Sequence, residues 1–234
     1  MASNSQVLPS WFDVWSERLD DTGVIDKFFE VLSQEERVRA RSFRFELDRV
    51  RFAARRAFAR RVLALYVGVS PADIRIRIAP LGKPELEPPC GVFFNTSHSD
   101  GLAVVAIAYE RGVGVDIERV RPIPGVLELA ERYFAPEEVR LLRSTPAESR
   151  AEVFLTIWTR KESYAKAIGA GLYMPFGSFD VSEDDRGVGS PRGPRGDSRF
   201  IFADLDTPDG FAGAVTMSGA ASASQGLVSR ASSA

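Results

Sequence analysis

The feature that most restricts the fold is an unbroken apolar run, LAVVAIAY, over residues 102–109. It is the longest apolar run in the chain and has the length of one buried β-strand. A membrane-spanning helix needs roughly 18 or more consecutive apolar residues, so the sequence predicts a water-soluble protein with no membrane span. Hydrophobic residues fill 44% of the 234 positions, enough for a substantial core in one domain or two halves.

Helical and strand-like segments occur in both halves of the sequence. Ser33 and Glu36 have capping-box spacing and precede a region of helical periodicity that reaches residue 66, and a second helix is predicted over residues 154–168. Residues 102–118 are predicted to form a β-hairpin that turns at residues 110–112. This distribution predicts an α+β fold. Composition predicts a flexible loop over residues 183–199 and a disordered tail from residue 218 onward.

Positive charge is concentrated between residues 37 and 61, although the formal net charge of the chain is −2. This window contains only two acidic residues but ten arginines: Arg37, Arg39, Arg41, Arg44, Arg49, Arg51, Arg55, Arg56, Arg60 and Arg61. Such a density fits a polyphosphate ligand, a nucleic acid or an acidic protein. The alternative interpretation is that these arginines bind no ligand and form a helix face exposed to water.

Asp116 and Glu118 stand two residues apart at the end of a strand-like segment. Because side chains alternate along a strand, both carboxylates project from one face while Val115 and Ile117 face the core. Carboxylate oxygens together with phosphate oxygens and water suit Mg²⁺, so the pair could serve a metal–phosphate site. A solvated strand end is the alternative for an isolated pair of this kind.

Glu162 and Lys166 share one face of the second predicted helix. A glutamate four residues before a lysine is also the favoured arrangement for an ordinary surface ion pair, which remains open here. His98 is the only histidine of the chain, and the small donors Thr96, Ser97 and Ser99 surround it. This turn could bind an anion.

Several common chemistries lack their motifs. The sequence has no Walker A loop, no GxSxG elbow, no HExxH and no cysteine–histidine metal cluster. Cys90 is the single cysteine and cannot form an internal disulfide, and the first residues lack the pattern of a secretory signal. We therefore expect a cytoplasmic location.

Taken together, four segments in this order resemble the 4′-phosphopantetheinyl transferases of the two-half Sfp type. The segments are GKP at 82–84, FNTSHS at 94–99, GVGVDIE at 112–118, and WTRKESYAKAIGAGL at 158–172 followed by MPFGSFDV. The last block is the most specific, and the resemblance covers roughly residues 35 to 181. It implies Mg²⁺-dependent transfer of the phosphopantetheine arm of coenzyme A to a serine of an apo carrier protein, with release of adenosine 3′,5′-bisphosphate. Mn²⁺ is the alternative metal.

The resemblance also implies roles for individual residues. Asp116, Glu118 and Glu162 would hold the metal, Glu162 would act as the base toward the carrier serine, and Lys166 would stabilise the pyrophosphate. His98 is included among the catalytic residues. The residues implied in coenzyme binding are Arg39, Arg51, Lys83, Ser97, His98, Lys161 and Lys166.

The family fold implies two similar α+β halves related by a pseudo-twofold axis, with the active site in the cleft between them. We expect an N-terminal half over residues 1–112, a C-terminal half over 113–217 and a tail over 218–234. We expect a monomer whose partners are carrier proteins of fatty-acid, polyketide or nonribosomal-peptide synthases. Binding to nucleic acid or to a membrane is not expected. The alternatives are a metal-dependent nuclease or phosphodiesterase, and a non-catalytic binding module.

Overall fold

The computed structural model describes residues 12–20, 25–109, 112–170, 174–182 and 187–218. Part of the predicted flexible loop, 183–186, and the predicted tail beyond residue 218 lie outside the described residues. None of the described helices combines the length and apolar composition that crossing a bilayer requires.

The described residues form six α-helices and nine strands. The helices are α1 (Ile25–Val31), α2 (Gln34–Arg41), α3 (Glu46–Val67), α4 (Val126–Tyr133), α5 (Pro136–Ser144) and α6 (Arg150–Ile168). The strands are β1 (Phe12–Arg18), β2 (Ile76–Ile78), β3 (Pro84–Leu86), β4 (Phe93–Ser99), β5 (Leu102–Ala108), β6 (Gly114–Arg119), β7 (Val188–Gly189), β8 (Phe200–Asp204) and β9 (Phe211–Ser218).

Two antiparallel sheets organise the molecule. The first has the strand order β1-β5-β4, and apolar residues of α1 and α3 pack on it in one core cluster. The second has the order β6-β9-β8-β7, and α6 packs across it. The strands β2 and β3 form a separate two-stranded sheet. This mixed architecture confirms the predicted α+β fold.

The predicted hairpin over residues 102–118 is wrong. β5 is hydrogen-bonded to β1 and β4, whereas β6 is hydrogen-bonded to β9 in the other sheet. Both strands are apolar and close in sequence, but β6 finds its partner about a hundred residues later in the chain. Local patterning reports strand character and carries no information about such a distant partner.

Side chains instead of a backbone ladder join the two sheets where β4 lies beside β6. Alternate residues of β4 accept hydrogen bonds from alternate backbone N–H groups of β6, always 20 residues further along the chain. The pairs are Val115 N to Asn95 Oδ1 at 3.0 Å, Ile117 N to Ser97 Oγ at 3.4 Å, and Arg119 N to Ser99 Oγ at 3.0 Å. The constant offset means that the two strands run parallel. We call this junction the β4–β6 seam.

Close packing holds β6 against α6 at Gly114. A Cβ atom at this position would lie 2.1 Å from the carbonyl oxygen of Ser163 and 2.4 Å from the backbone nitrogen of Ala167. Only glycine allows so close an approach of strand and helix. The contact brings the acids of β6 near the polar face of α6.

The arginine-rich region is partly internal. The predicted capping box is confirmed, because Ser33 Oγ accepts from Glu36 N and the Glu36 carboxylate accepts from Ser33 N. That carboxylate also accepts from Arg56 Nε and from Arg60 Nε, at 2.6 Å each. Arg60 is only 3% exposed. Part of the positive charge therefore stabilises the packing of α2 on α3.

Candidate active site

The acids of β6 and the polar face of α6 meet at the β4–β6 seam. Lys166 Nζ donates to Asp116 Oδ1 at 2.6 Å and to the carbonyl oxygen of Val115 at 3.1 Å. The ion pair of Lys166 therefore joins helix α6 to strand β6. Among the described residues, no ion pair joins Lys166 to Glu162 on its own helix.

Three carboxylates in this cluster are held in conditions that disfavour their charge. Burial raises the pKa of Asp116 in spite of the adjacent Lys166 ammonium. Burial also raises the pKa of Glu118, and the negative charge of Asp116 acts in the same direction. For Glu162, burial and then the charges of Asp116 and Glu118 raise the pKa. One lysine against three acids leaves excess negative potential.

The cluster fits a hard cation. Asp116 Oδ2 is buried and has no hydrogen-bond partner, although Oδ1 of the same carboxylate has two. Such an orphaned oxygen is costly unless something else satisfies it, and carboxylate oxygen is a preferred ligand of Mg²⁺. As the side chains stand, no three His, Cys, Asp or Glu residues of the described chain form a complete ligand set. A cation here would therefore draw further oxygens from water and from its ligand.

Ser97 lies in the seam, with its hydroxyl engaged by protein groups. Ser97 Oγ donates to Asp116 Oδ1 at 2.8 Å, and it accepts from Ile117 N and from Lys166 Nζ. A serine hydroxyl has one donor and two acceptor positions, so these contacts use all of them. The phosphate contact expected of Ser97 stays a prediction, and this hydroxyl would make it only by giving up one of these partners.

His98 lines a neighbouring pocket of 360 Å³, where Arg39, Arg55 and Arg56 outnumber the acids Glu35 and Glu36. The Arg55 guanidinium contacts His98 Nε2, and Arg55 Nε is buried without a hydrogen-bond partner. Loss of hydration in the pocket, then the charges of Arg55 and Lys166, lower the pKa of His98 to about 4. The imidazole is therefore neutral at pH 7, and the pocket suits a phosphate-like anion.

Arg55 is a residue of this pocket that its sequence pattern alone does not distinguish from the other arginines of residues 37–61. Burial and the nearby charges of Arg56 and Arg39 lower its pKa, which reflects the concentration of positive charge here. A signal was present, since Arg55 lies four residues after Arg51 and hence on the same face of α3.

Arg51 and Lys83 are occupied by protein partners. Arg51 Nε donates to Asp20 Oδ1 at 2.9 Å. Lys83 Nζ donates to the carbonyl oxygens of Val113, Lys166 and Ala167 at 3.0, 2.9 and 3.1 Å. Burial lowers the pKa of Lys83 to about 8. Lys83 thus ties the β2–β3 hairpin to β6 and to the end of α6.

Lys161, expected at the coenzyme phosphates, lies in the core instead. Its side chain is fully buried, and Nζ forms an ion pair with Glu138 Oε2 at 2.8 Å. It also donates to the carbonyl oxygens of Phe176 and Phe179. Although it precedes Glu162 in sequence, one residue turns a helix by about 100°, so the two side chains leave α6 on different faces.

Comparisons with known proteins agree on one family. Residues 112–216 match the 4′-phosphopantetheinyl transferase superfamily, and residues 21–110 match the family described as 4′-phosphopantetheinyl transferase, N-terminal. The chain is 38% identical over 173 residues to the 4′-phosphopantetheinyl transferase HetI of a Nostoc species, covering 72% of this chain and 73% of that protein. It is 31% identical over 156 residues to the 4′-phosphopantetheinyl transferase Sfp of Bacillus subtilis, covering 67% and 68%.

Proposed function

The chain belongs to the 4′-phosphopantetheinyl transferase superfamily and is an enzyme of the transferase class, and from this premise we propose its reaction and site. It transfers the 4′-phosphopantetheine arm of coenzyme A to a serine hydroxyl of an apo carrier protein. Adenosine 3′,5′-bisphosphate is the second product.

The convergence of Asp116, Glu118, Glu162 and Lys166 at one edge of the seam is the observation that carries this proposal. Phosphoryl transfer depends on positioning and on stabilising the charge of the transferred group. A cluster with several acids, one lysine and a neighbouring pocket for a second anion offers both.

The bonds change as follows. The oxygen of the carrier serine bonds to the phosphorus atom that carries the pantetheine arm, and the bond from that phosphorus to the bridging pyrophosphate oxygen breaks. Glu162 accepts the serine proton, a role that its raised pKa favours because a base works best when its pKa is closer to neutrality. Lys166 stabilises the negative charge that develops on the leaving phosphate.

Asp116 and its orphaned oxygen, with Glu118 and Glu162, would hold a divalent cation. We propose Mg²⁺, with Mn²⁺ as the alternative, because all the available donors are hard oxygens. When bound, the cation would neutralise pyrophosphate charge that Lys166 alone cannot balance.

The pocket of Arg39, Arg55 and His98 would receive the phosphate at the far end of coenzyme A. The orphaned Arg55 Nε supplies a donor that has no partner among the described residues. Arg51 would join this set only by leaving Asp20, and Lys83 only by giving up backbone carbonyls.

We further propose that residues 1–112 and 113–217 act as two halves with the site between them, in a cytoplasmic monomer. The substrates would be carrier proteins or carrier domains of fatty-acid, polyketide or nonribosomal-peptide synthases.

The test is incubation with coenzyme A, Mg²⁺ and a panel of apo carriers from these three classes. We expect a mass increase on at least one carrier, stoichiometric adenosine 3′,5′-bisphosphate, and neither product with a carrier whose acceptor serine is replaced by alanine. Removal of Mg²⁺ with a chelator should stop both. The proposal would be overturned if none of the carriers were modified. It would also be overturned if the protein cleaved a phosphodiester when no carrier protein was present.

A further inference from the structure

The β4–β6 seam contains a repeating arrangement that ties each acid of the site to a serine of the other sheet. Ile117 N donates to Ser97 Oγ, and Ser97 Oγ donates to Asp116 Oδ1. Two residues later, Arg119 N donates to Ser99 Oγ at 3.0 Å, and Ser99 Oγ donates to Glu118 Oε2 at 2.8 Å. The same three-group arrangement therefore occurs twice.

The backbone N–H fixes the direction of each hydroxyl. When a hydroxyl oxygen accepts from an N–H on one side, its own hydrogen is directed elsewhere, here toward the carboxylate. Ser97 also accepts from Lys166 Nζ at 3.3 Å, so its capacity is complete. Each serine thus holds one carboxylate oxygen by a charge-assisted hydrogen bond.

Asn95 provides an internal comparison within the same seam. It accepts from Val115 N in the way that the serines accept from the next alternate positions. The residue of β6 that precedes Val115 is Gly114, which has no carboxylate to hold. Hydroxyls therefore stand at the two seam positions that face an acid, and an amide stands at the position that does not.

We propose that the hydroxyls of Ser97 and Ser99 are positioning groups that orient the carboxylates of Asp116 and Glu118. This inference rests on the proposed function, because it assigns how that site is kept in order. Partners of this kind orient the groups that bind a metal or substrate, and their loss typically costs about 10- to 100-fold in metal affinity or activity.

The experiment compares Ser97→Ala and Ser99→Ala with Ser97→Thr and Ser99→Thr, which keep the hydroxyl. Ser144→Ala is the matched control, because Ser144 is an exposed residue of α5 whose Oγ donates to the backbone carbonyl of Leu141. We expect each seam alanine variant to lower single-turnover transfer about 10- to 100-fold and to raise the Mg²⁺ concentration for half-maximal rate. Coenzyme A affinity should stay within about twofold, since both hydroxyls are engaged by protein groups. The threonine variants should recover most of the rate.

Two further readouts keep the proposal testable. Crystal structures of the alanine variants should show the Asp116 or Glu118 carboxylate displaced, and this needs no carrier protein. If an alanine variant does not fold, Ser→Cys at the same position keeps the size with a weaker donor and should show the same rate loss.

Weakened coenzyme A binding with an unchanged rate would overturn the positioning role, as would unmoved carboxylates or threonine variants as slow as alanine variants. If wild-type protein transfers nothing to any carrier, the proposed function fails. The carboxylate positions in the variants then still decide the role of the serines.

Discussion

Lys166 pairs with Asp116, fifty residues away in sequence, at 2.6 Å from Nζ to Oδ1. The side chain of Asp116 is 6% exposed and that of Lys166 is 29% exposed. The pair therefore connects β6 to α6 from inside the site, and removing either charge should alter the rate of transfer.

Asp116→Asn should lower the rate of transfer more than the stability. The amide keeps the shape and removes a buried charge whose pKa the fold raises, but it leaves the Lys166 ammonium without its anionic partner, so the two effects on the free energy of unfolding oppose each other. Transfer should fall about 10²- to 10³-fold because charge that acts on the pyrophosphate is lost. Urea denaturation and single-turnover assays measure the stability and the rate. Asp73→Asn, at an exposed position, should change neither, and a stable Asp116→Asn protein with full activity would contradict the assignment.

Glu162→Gln should slow transfer without lowering the stability of the fold. The pKa of Glu162 is raised in the fold, so the unfolded chain ionises more readily and the charged group destabilises the fold at neutral pH. The neutral amide also removes repulsion from Asp116 and Glu118. We expect an unchanged or higher melting temperature, together with a rate loss of about 10²- to 10⁴-fold. A variant with normal transfer would remove Glu162 as the base.

Lys161→Met tests the placement of Lys161 in the core. Removing one member of a fully buried ion pair leaves Glu138 uncompensated and should cost about 3–5 kcal/mol. Coenzyme A affinity of the folded fraction should not change, which calorimetry can measure. The double variant Lys161→Met/Glu138→Gln should regain part of the loss. A stable single variant with weakened coenzyme binding would instead place Lys161 at the phosphates.

Features set by neighbours in sequence could be predicted, and features set by distant partners could not. The capping box of Ser33 and Glu36 is complete within four residues, so its sequence pattern is sufficient. The α+β class follows from the local periods in the same way. The partner of Lys161 is Glu138, on a different helix, and no spacing within α6 indicates it.

In the candidate site, too, local features could be predicted and features set by distant partners could not. Strand alternation predicts that Asp116 and Glu118 share a face, because that is a property of one strand. The pairing of Lys166 with Asp116, and the seam that holds both acids, depend on two sheets meeting. Single-strand patterns do not contain that information.

Gly114→Ala should disrupt the contact between β6 and α6. The added methyl group would lie 2.1 Å from the carbonyl oxygen of Ser163, so strand or helix must shift, at a cost of about 1–3 kcal/mol. Transfer should fall as well, because the shift moves Asp116 relative to Lys166. Gly177→Ala is the control, since its nearest contact would be an ordinary 3.5 Å. Equal melting temperatures for the two variants would contradict this prediction.

His98 should make stability depend on pH in mildly acidic solution. Its pKa is lowered from 6.5 to about 4, so between these values the unfolded chain binds a proton that the folded chain does not. The stability contribution is present above pH 6.5 and is lost as the pH falls toward 4. The free energy of unfolding of His98→Gln should therefore fall less steeply than that of the wild type over this range. Parallel curves would contradict the prediction.

The β4–β6 seam has a consequence for behaviour at high concentration. The outer edge of a sheet normally presents free N–H groups that can template a strand from another molecule, a common route to aggregation. Along β6, three of these groups are already bonded to Asn95, Ser97 and Ser99. The side chains that order the acids therefore also prevent this edge from recruiting a foreign strand, so a variant that opens the seam should be both slower and more prone to self-association.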